Sequence, residues 1–132
     1  MKLEFLPNLS NGGQFKQVVS DNLVRLFDFD RHEAELLRMS IISEVIQKQK
    51  PLSISSLSFI EMINCNLTLR ISSDDVGITQ ENERNIFLDQ TIKRYEDMTN
   101  LIQPFCVKES EGYQWLVEGC DIDLLLSPSG TW

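Results

Sequence analysis

The stretch from Asp30 to Lys50 constrains the fold most, because it encodes both ends of a helix. Asp30 suits the position that accepts hydrogen bonds from the first free amides, and Glu33 three positions later completes the pattern of a capping box. Lys48 and Lys50 suit the negative end of the helix dipole, and Pro51 stops the helix. These signals predict a helix at about 30–50.

The predicted helix carries a broad apolar face. The residues of this face recur at helical spacing: Ala34, Leu37, Met39, Ile41, Ile42, Val45 and Ile46. Burial of each large side chain contributes roughly 1.5–3 kcal/mol. A lone helix leaves such a face in water, so we expect a sheet to cover it.

The rest of the chain supplies a second helix and several strands. Tyr95, Met98 and Ile102 share one side of a helix at 91–103, which ends at Pro104. Strand-like runs lie at 2–6, 22–29, 57–63, 67–71, 85–88, 113–117 and 122–126.

Two clusters of turn-forming residues lie between or beside these runs. Asn64, Cys65 and Asn66 predict a hairpin between the runs at 57–63 and 67–71, with a single long strand as the alternative. The Asn-Gly-Gly cluster at 11–13 predicts a turn.

Strands in this sequence do not alternate one for one with helices, which favours an α+β fold. We therefore expect a mainly antiparallel sheet packed against two amphipathic helices, at about 30–50 and 91–103. At 132 residues the chain has the size of a single globular domain, 1–132.

Composition narrows the environment and the partners. A net charge of −8 and scattered Lys and Arg residues argue against nucleic acid as a partner. No apolar run approaches the roughly 20 residues that span a bilayer, and the start of the sequence does not resemble a signal peptide. Cys65, Cys106 and Cys120 fit neither a disulfide framework nor a zinc ribbon. We expect a cytoplasmic protein that contacts no membrane.

Signatures of catalysis are sparse. His32 is the single histidine, and no nucleophile elbow, phosphate-binding loop or metal-ligand cluster accompanies it. We therefore assign no catalytic residue, no metal and no cofactor.

The string Leu26-Phe27-Asp28-Phe29-Asp30 resembles the first motif of haloacid dehalogenase-type phosphotransferases. The resemblance implies that Asp28 is a nucleophile and that Asp30 is an acid or base. His32 stands where that family has Thr or Val. Asp30 also has the competing role of a helix cap.

Glu35 and Arg38 stand within the apolar face of the main helix, where patterning does not favour charge. They form an i, i+3 pair, or Arg38 lays its stem on the core with its head in water. The functional alternative is that the two residues bind an anionic ligand in a cleft.

The aromatic residues near the end of the sequence suggest an interface. Tyr and Trp are enriched at binding hot spots, which makes Tyr113 and Trp132 candidate interface residues. The sequence leaves open whether Trp132 folds back over the sheet or stays exposed. The alternation of Trp115 with Gln114 and Leu116 favours a core position for Trp115.

Several strings resemble small proteins of Bacteroides-type bacteria that carry no assigned activity: Phe27-Asp28-Phe29-Asp30, Asn64-Cys65-Asn66-Leu67-Thr68-Leu69, Pro104-Phe105-Cys106, Tyr113-Gln114-Trp115-Leu116 and Ser127-Pro128-Ser129-Gly130-Thr131-Trp132. The resemblance implies a bacterial cytoplasmic protein and transfers no site residue. Our leading hypothesis is a non-catalytic module that binds another protein or a second copy of itself. The alternative is a small enzyme or anion-ligand binder that uses Arg38 and Glu35, or Asp28 and Asp30.

Overall fold

The computed structural model describes residues 1–7, 9 and 21–132, and the predicted α+β class is confirmed in them. Their strands, in chain order, are β1 (Lys2–Leu6), β2 (Asn22–Phe27), β3 (Leu52–Ser53), β4 (Glu61–Met62), β5 (Asn66–Ile71), β6 (Gly77–Gln80), β7 (Asn85–Gln90), β8 (Gln114–Val117) and β9 (Ile122–Ser127). The turn predicted at 11–13 lies outside the described residues.

The strands form two mixed sheets, where the sequence predicted one. The larger sheet has the order β4-β1-β2-β9-β8, and the smaller sheet has the order β3-β5-β7-β6. β8 and β9 pair antiparallel through a short connection, as predicted, whereas β2 and β9 run parallel. The parallel pair joins an early segment of the chain to a late one, which needs a long crossover.

The main helix begins where its capping signals predict. It consists of α1 (Arg31–Ser40), which continues as a π-helix over Ile41–Gln47. Asp30 Oδ1 accepts a hydrogen bond of 2.9 Å from the backbone N–H of Glu33. The Glu33 carboxylate does not complete the capping box; it lies 2.5 Å from the amino group of Met1.

The end of this helix is closed by the backbone. Gln49 has a left-handed conformation with φ of 54°, and the N–H of Lys50 donates to the Glu44 carbonyl at 2.9 Å. Within the π-helix, the N–H of Lys48 reaches back five residues to the Ser43 carbonyl at 3.1 Å. This run is rich in β-branched residues, which suit a regular α-helix less well.

The second helix, α2 (Ile92–Ile102), also matches its prediction and is followed by the short α3 (Pro104–Val107). Thr91 Oγ1 caps α2 by accepting from the N–H of Arg94 at 3.3 Å. Asp75 accepts from both the N–H and the hydroxyl of Thr91 at 2.9 Å, and the bond from that N–H is the main reason that the pKa of Asp75 is lowered.

One apolar core joins the inner faces of both sheets to both helices. Its fully buried residues include Leu3, Val24, Ala34, Leu37, Ile41, Val45, Leu67, Ile86, Leu88, Tyr95, Ile102 and Leu126. The Tyr95 hydroxyl donates to the carbonyls of Arg70 and Leu88, at 2.6 and 2.9 Å. A buried polar atom is thereby satisfied where α2 crosses the smaller sheet.

Two further details of the prediction are wrong. Met39 is 49% exposed, because steps of about 100° per residue place it far around α1 from Leu37. The hairpin expected at 64–66 does not form: β4 pairs with β1 and β5 pairs with β7, so the chain crosses from one sheet to the other there. Asn64 secures this crossing by bonding both the N–H and the carbonyl of Phe5 at 2.8 Å.

Within the described residues, no helix has the length and apolar character needed to cross a bilayer.

Candidate functional site

Glu35 and Arg38 lie in the seam where α1 meets α2 and α3. Arg38 Nε donates to the Thr99 carbonyl of α2 at 3.3 Å, and Glu35 lies beside Cys106 of α3. Burial, and after it the Glu35 carboxylate, raise the pKa of the Cys106 thiol to about 11. Near neutral pH this thiol stays protonated, so it is a poor nucleophile. A ligand-binding role for Glu35 and Arg38 stays a prediction.

The two carboxylates of the predicted pair, Asp28 and Asp30, have separate structural roles. Asp28 Oδ2 lies 3.0 Å from Lys2 Nζ at the surface, and Asp28 has a left-handed backbone with φ of 53°. Its N–H donates to the Pro128 carbonyl at 2.9 Å. Asp30 caps α1 as described above. Each carboxylate therefore has its own local partner.

The predicted interface residues belong to the face of the larger sheet that points away from the helices. Alternation along β2 places Val24 and Leu26 in the core, and Leu23, Arg25 and Phe27 on this outer face. One part of the outer face is apolar. The members of its apolar cluster are Leu6, Leu9, Leu23, Trp115, Leu125 and Trp132.

Three aromatic residues form the solvent side of this apolar part. Trp132 folds back over the sheet and packs with Leu23 and Leu125, while remaining partly exposed. Trp115 is also half-buried, and the ring of Tyr113 meets it edge to face with centroids 6.4 Å apart. Tyr113 itself is 49% exposed. We call Tyr113, Trp115 and Trp132 the outer aromatic cluster.

The other part of the outer face is polar and is paired internally. Arg25 donates from Nε and Nη2 to Glu4 Oε1, at 2.9 and 2.6 Å, and its guanidinium carbon lies 4.0 Å from the centroid of the Phe27 ring. Arg25 Nη1 donates to the Gly130 carbonyl at 2.8 Å. Arg25 therefore ties the segment that carries Trp132 to the sheet.

The smaller sheet carries a similar charged group but no comparable aromatic cluster in the described residues. Arg70 makes two hydrogen bonds of 2.8 Å to Asp89, and its guanidinium carbon lies 4.1 Å from the centroid of the Phe87 ring. The cation covers the ring and leaves a polar surface.

A groove of about 760 Å³ opens where the end of β1 and the start of β2 meet the turn between β6 and β7. Among the described residues its lining includes the exposed Met62 and Ile63, together with Glu83 and Arg84. Glu35, Arg38, Asp28 and Asp30 are not part of that lining. The predicted chemical groups therefore do not converge in this groove.

No group of three or more His, Cys, Asp or Glu side chains in the described part of the chain is placed to hold a metal ion. His32 lies exposed in the first turn of α1.

Comparison with known proteins finds no family model that matches the chain and no curated protein that matches its sequence. The resemblances to Bacteroides-type proteins and to the dehalogenase-type motif stay predictions.

The sequence interpretation placed Trp115 in the core, and the structure places it on the outer face instead. Leu116 faces the core, so alternation along β8 turns Trp115 to the opposite face, and a register shift between Trp115 and Val117 lets Val117 be buried as well. The signal available in the sequence was the pair of consecutive apolar residues, Leu116 and Val117, directly after Trp115.

Proposed function

We propose that this chain is a non-catalytic protein-binding module that contacts its partner through the outer aromatic cluster. The observation that carries the proposal is that Tyr113, Trp115 and Trp132 stand together on the sheet face opposite the helices, with part of their ring surface in water. The face of a sheet that does not cover a core is usually polar. An aromatic surface in that position is typical of a contact site for another molecule.

The chemistry of these side chains suits a binding hot spot. Tyr and Trp supply a large contact area at a low cost in side-chain entropy, and their polar atoms allow hydrogen bonds at the rim of an interface. Trp132 and Trp115 are already packed on Leu23 and Leu125, so little ordering remains to be done on binding.

The enzymatic or anion-binding alternative receives less support. It requires Arg38 and Glu35, or Asp28 and Asp30, to share a cavity. Arg38 donates a hydrogen bond to the Thr99 carbonyl, and Asp28 forms an ion pair with Lys2. A cytoplasmic location belongs to the same proposal, because Cys65, Cys106 and Cys120 are all free thiols.

The proposal is tested by affinity capture from a lysate of the cells that make the protein. The baits are the unaltered chain, Tyr113→Ala and Met39→Ala. Met39 is a matched control because it is also 49% exposed but lies on α1, away from the outer face. A partner that both the unaltered chain and Met39→Ala retain, and that Tyr113→Ala loses, supports the proposal. A partner retained equally by all three baits contradicts it.

A further inference from the structure

We infer that Asn64 caps one edge of the larger sheet: its side-chain amide takes the place of a neighbouring strand and keeps a second copy of the chain from pairing with β1. This inference is independent of the proposed function, because β8, which carries Trp115, forms the opposite edge of that sheet.

The capped edge lies along β1. β2 pairs with one side of β1 over its whole length, whereas β4 pairs with the other side only at Lys2 and Leu3. Just after β4, the N–H of Ile63 donates to the Leu3 carbonyl at 2.9 Å. Beyond Leu3, no strand of the described residues lies on this side of β1.

Asn64 satisfies the next backbone groups on this side. In an antiparallel pair, residues that bond to the partner strand alternate with residues whose backbone groups point away from it. Phe5 is of the second kind: its N–H donates to Asn64 Oδ1 and its carbonyl accepts from Asn64 Nδ2, both at 2.8 Å. The amide of Asn64 thus offers Phe5 the acceptor and the donor that a strand would offer. Pro7, two residues later, has no N–H with which to extend the pairing.

The outer side of this cap faces solvent. Phe5 is buried, whereas residues 61–64 are all exposed. Met62 and Ile63, beside the cap, are 49% and 44% exposed. A sheet edge with free backbone groups and exposed apolar side chains is a template for pairing with another chain. Removal of the Asn64 amide would create such an edge.

The variant Asn64→Ala tests the inference, because it removes both bonds to Phe5. Sedimentation measures the weight-average mass over a range of concentrations, in about 0.15 M salt to screen repulsion between copies of this acidic chain. The mass of the variant is expected to rise with concentration above that of the unaltered chain, toward twice the mass of one chain. Circular dichroism checks that the variant is folded.

Asn66→Ala is the matched control. Asn66 Oδ1 also accepts from a backbone N–H, that of Ser55, at 3.1 Å. Asn66 belongs to β5, which lies between β3 and β7 and is not an edge strand. Its loss should lower stability without a rise in mass.

Hydrogen exchange of the Phe5 amide locates the association. In dilute Asn64→Ala this amide is expected to exchange at least about tenfold faster than in the unaltered chain, and to regain protection as the concentration rises. Asn64→Asp keeps the acceptor for that amide, which should therefore stay protected. If Asn64→Ala does not fold, the Asp variant decides: protection of the Phe5 amide supports the cap, and fast exchange overturns it.

The remaining outcomes also decide the inference. It is overturned if Asn64→Ala has the mass of the unaltered chain at every concentration, or if Asn66→Ala associates to the same extent. A rise in mass without renewed protection of the Phe5 amide overturns it as well, because the copies would then meet elsewhere.

Discussion

The ring of Tyr113 meets the ring of Trp115 edge to face, with centroids 6.4 Å apart and planes inclined at 79°. Tyr113 directly precedes β8, and Trp115 is the second residue of that strand, so the two side chains are two positions apart and lie on the same side of the chain. The contact holds an exposed tyrosine next to a half-buried tryptophan and gives the outer face a fixed aromatic surface.

Replacement Tyr113→Ala tests whether this contact serves binding more than folding. An aromatic pair contributes about 0.5–1.5 kcal/mol beyond the burial of its surface, and Tyr113 is half-exposed, so we expect the free energy of unfolding to fall by less than about 3 kcal/mol. Urea denaturation followed by circular dichroism measures the change. A loss above about 3 kcal/mol would mean that Tyr113 acts as a core residue.

Replacement Arg25→Met tests whether Arg25 fastens the segment around Trp132. The variant keeps the apolar stem but removes the hydrogen bonds to Glu4 and to the Gly130 carbonyl. We expect stability to fall by about 1–3 kcal/mol and tryptophan emission to shift to longer wavelength as Trp132 becomes more hydrated. Arg31→Met, at an exposed position in α1, is the control and should shift neither quantity. Unchanged emission in Arg25→Met would show that the segment is held by other contacts.

Replacement Gly77→Ala tests the contact between the start of β6 and the turn before β9. Gly77 has φ of +94°, and a Cβ there would lie 2.9 Å from Cys120 Sγ. We expect a loss of about 1–3 kcal/mol, since the added methyl brings both backbone strain and a clash. Adding Cys120→Ala should restore the part due to the clash.

Gly112→Ala is the matched control for that series. Gly112 is not among the glycines with positive φ, and its added Cβ would meet Ser110 Oγ at 3.4 Å. This change should alter stability by less than about 0.5 kcal/mol. If Gly77→Ala and Gly112→Ala change the free energy of unfolding equally, the close contact between Gly77 and Cys120 does not restrict the residue at position 77.

Buried thiols make stability depend on alkaline pH. Burial raises the pKa of Cys65 from 9.0 to about 12, and burial with Glu35 raises that of Cys106 to about 11. Above about pH 9 the unfolded chain releases these protons while the folded chain keeps them, so unfolding becomes easier as pH rises. We expect the free energy of unfolding to fall from about pH 9 to pH 11, and to fall less steeply in Cys65→Ala. Identical slopes would exclude Cys65 as a contributor.

Gln90 offers a stabilising change. Its side chain is 4% exposed, and its Nε2 has no hydrogen-bond partner among the described residues. Because an unsatisfied buried donor costs about 1–3 kcal/mol, Gln90→Leu is expected to raise the midpoint of thermal unfolding.

Thr99→Val is the opposite case, since Thr99 Oγ1 donates to the Glu96 carbonyl at 2.7 Å and that bond would be lost. It should lower the midpoint. A lower midpoint of thermal unfolding in Gln90→Leu would show that the side-chain amide of Gln90 stabilises the fold.

The parts of the fold that were predictable from the sequence depend on neighbours along the chain. The Asp30 cap, the stop before Pro51 and the second helix are each encoded within a few residues, and each appears in the structure. The division of strands into two sheets depends on distant pairs, such as β2 with β9. No local pattern specifies which remote strand becomes a neighbour.

The candidate site was likewise predictable from the sequence only in part. Residue type alone singled out Tyr113 and Trp132, but the packing of Trp115 and Trp132 around Leu23 and Leu125 depends on the pairing of β2, β9 and β8. The role of Arg25 depends on Glu4 and Gly130, which are remote from it in sequence. Their approach follows from the pairing of β2 with β1 and β9.

The most direct test of the account is the dissociation constant of the purified partner for the unaltered chain, for Tyr113→Ala and for Met39→Ala, measured by calorimetry. If the outer aromatic cluster binds the partner, Tyr113→Ala weakens binding by at least about tenfold, or 1.4 kcal/mol, while Met39→Ala binds like the unaltered chain. Equal affinity of Tyr113→Ala and the unaltered chain, with weaker binding by Met39→Ala, would contradict the account and move the interface to the helix.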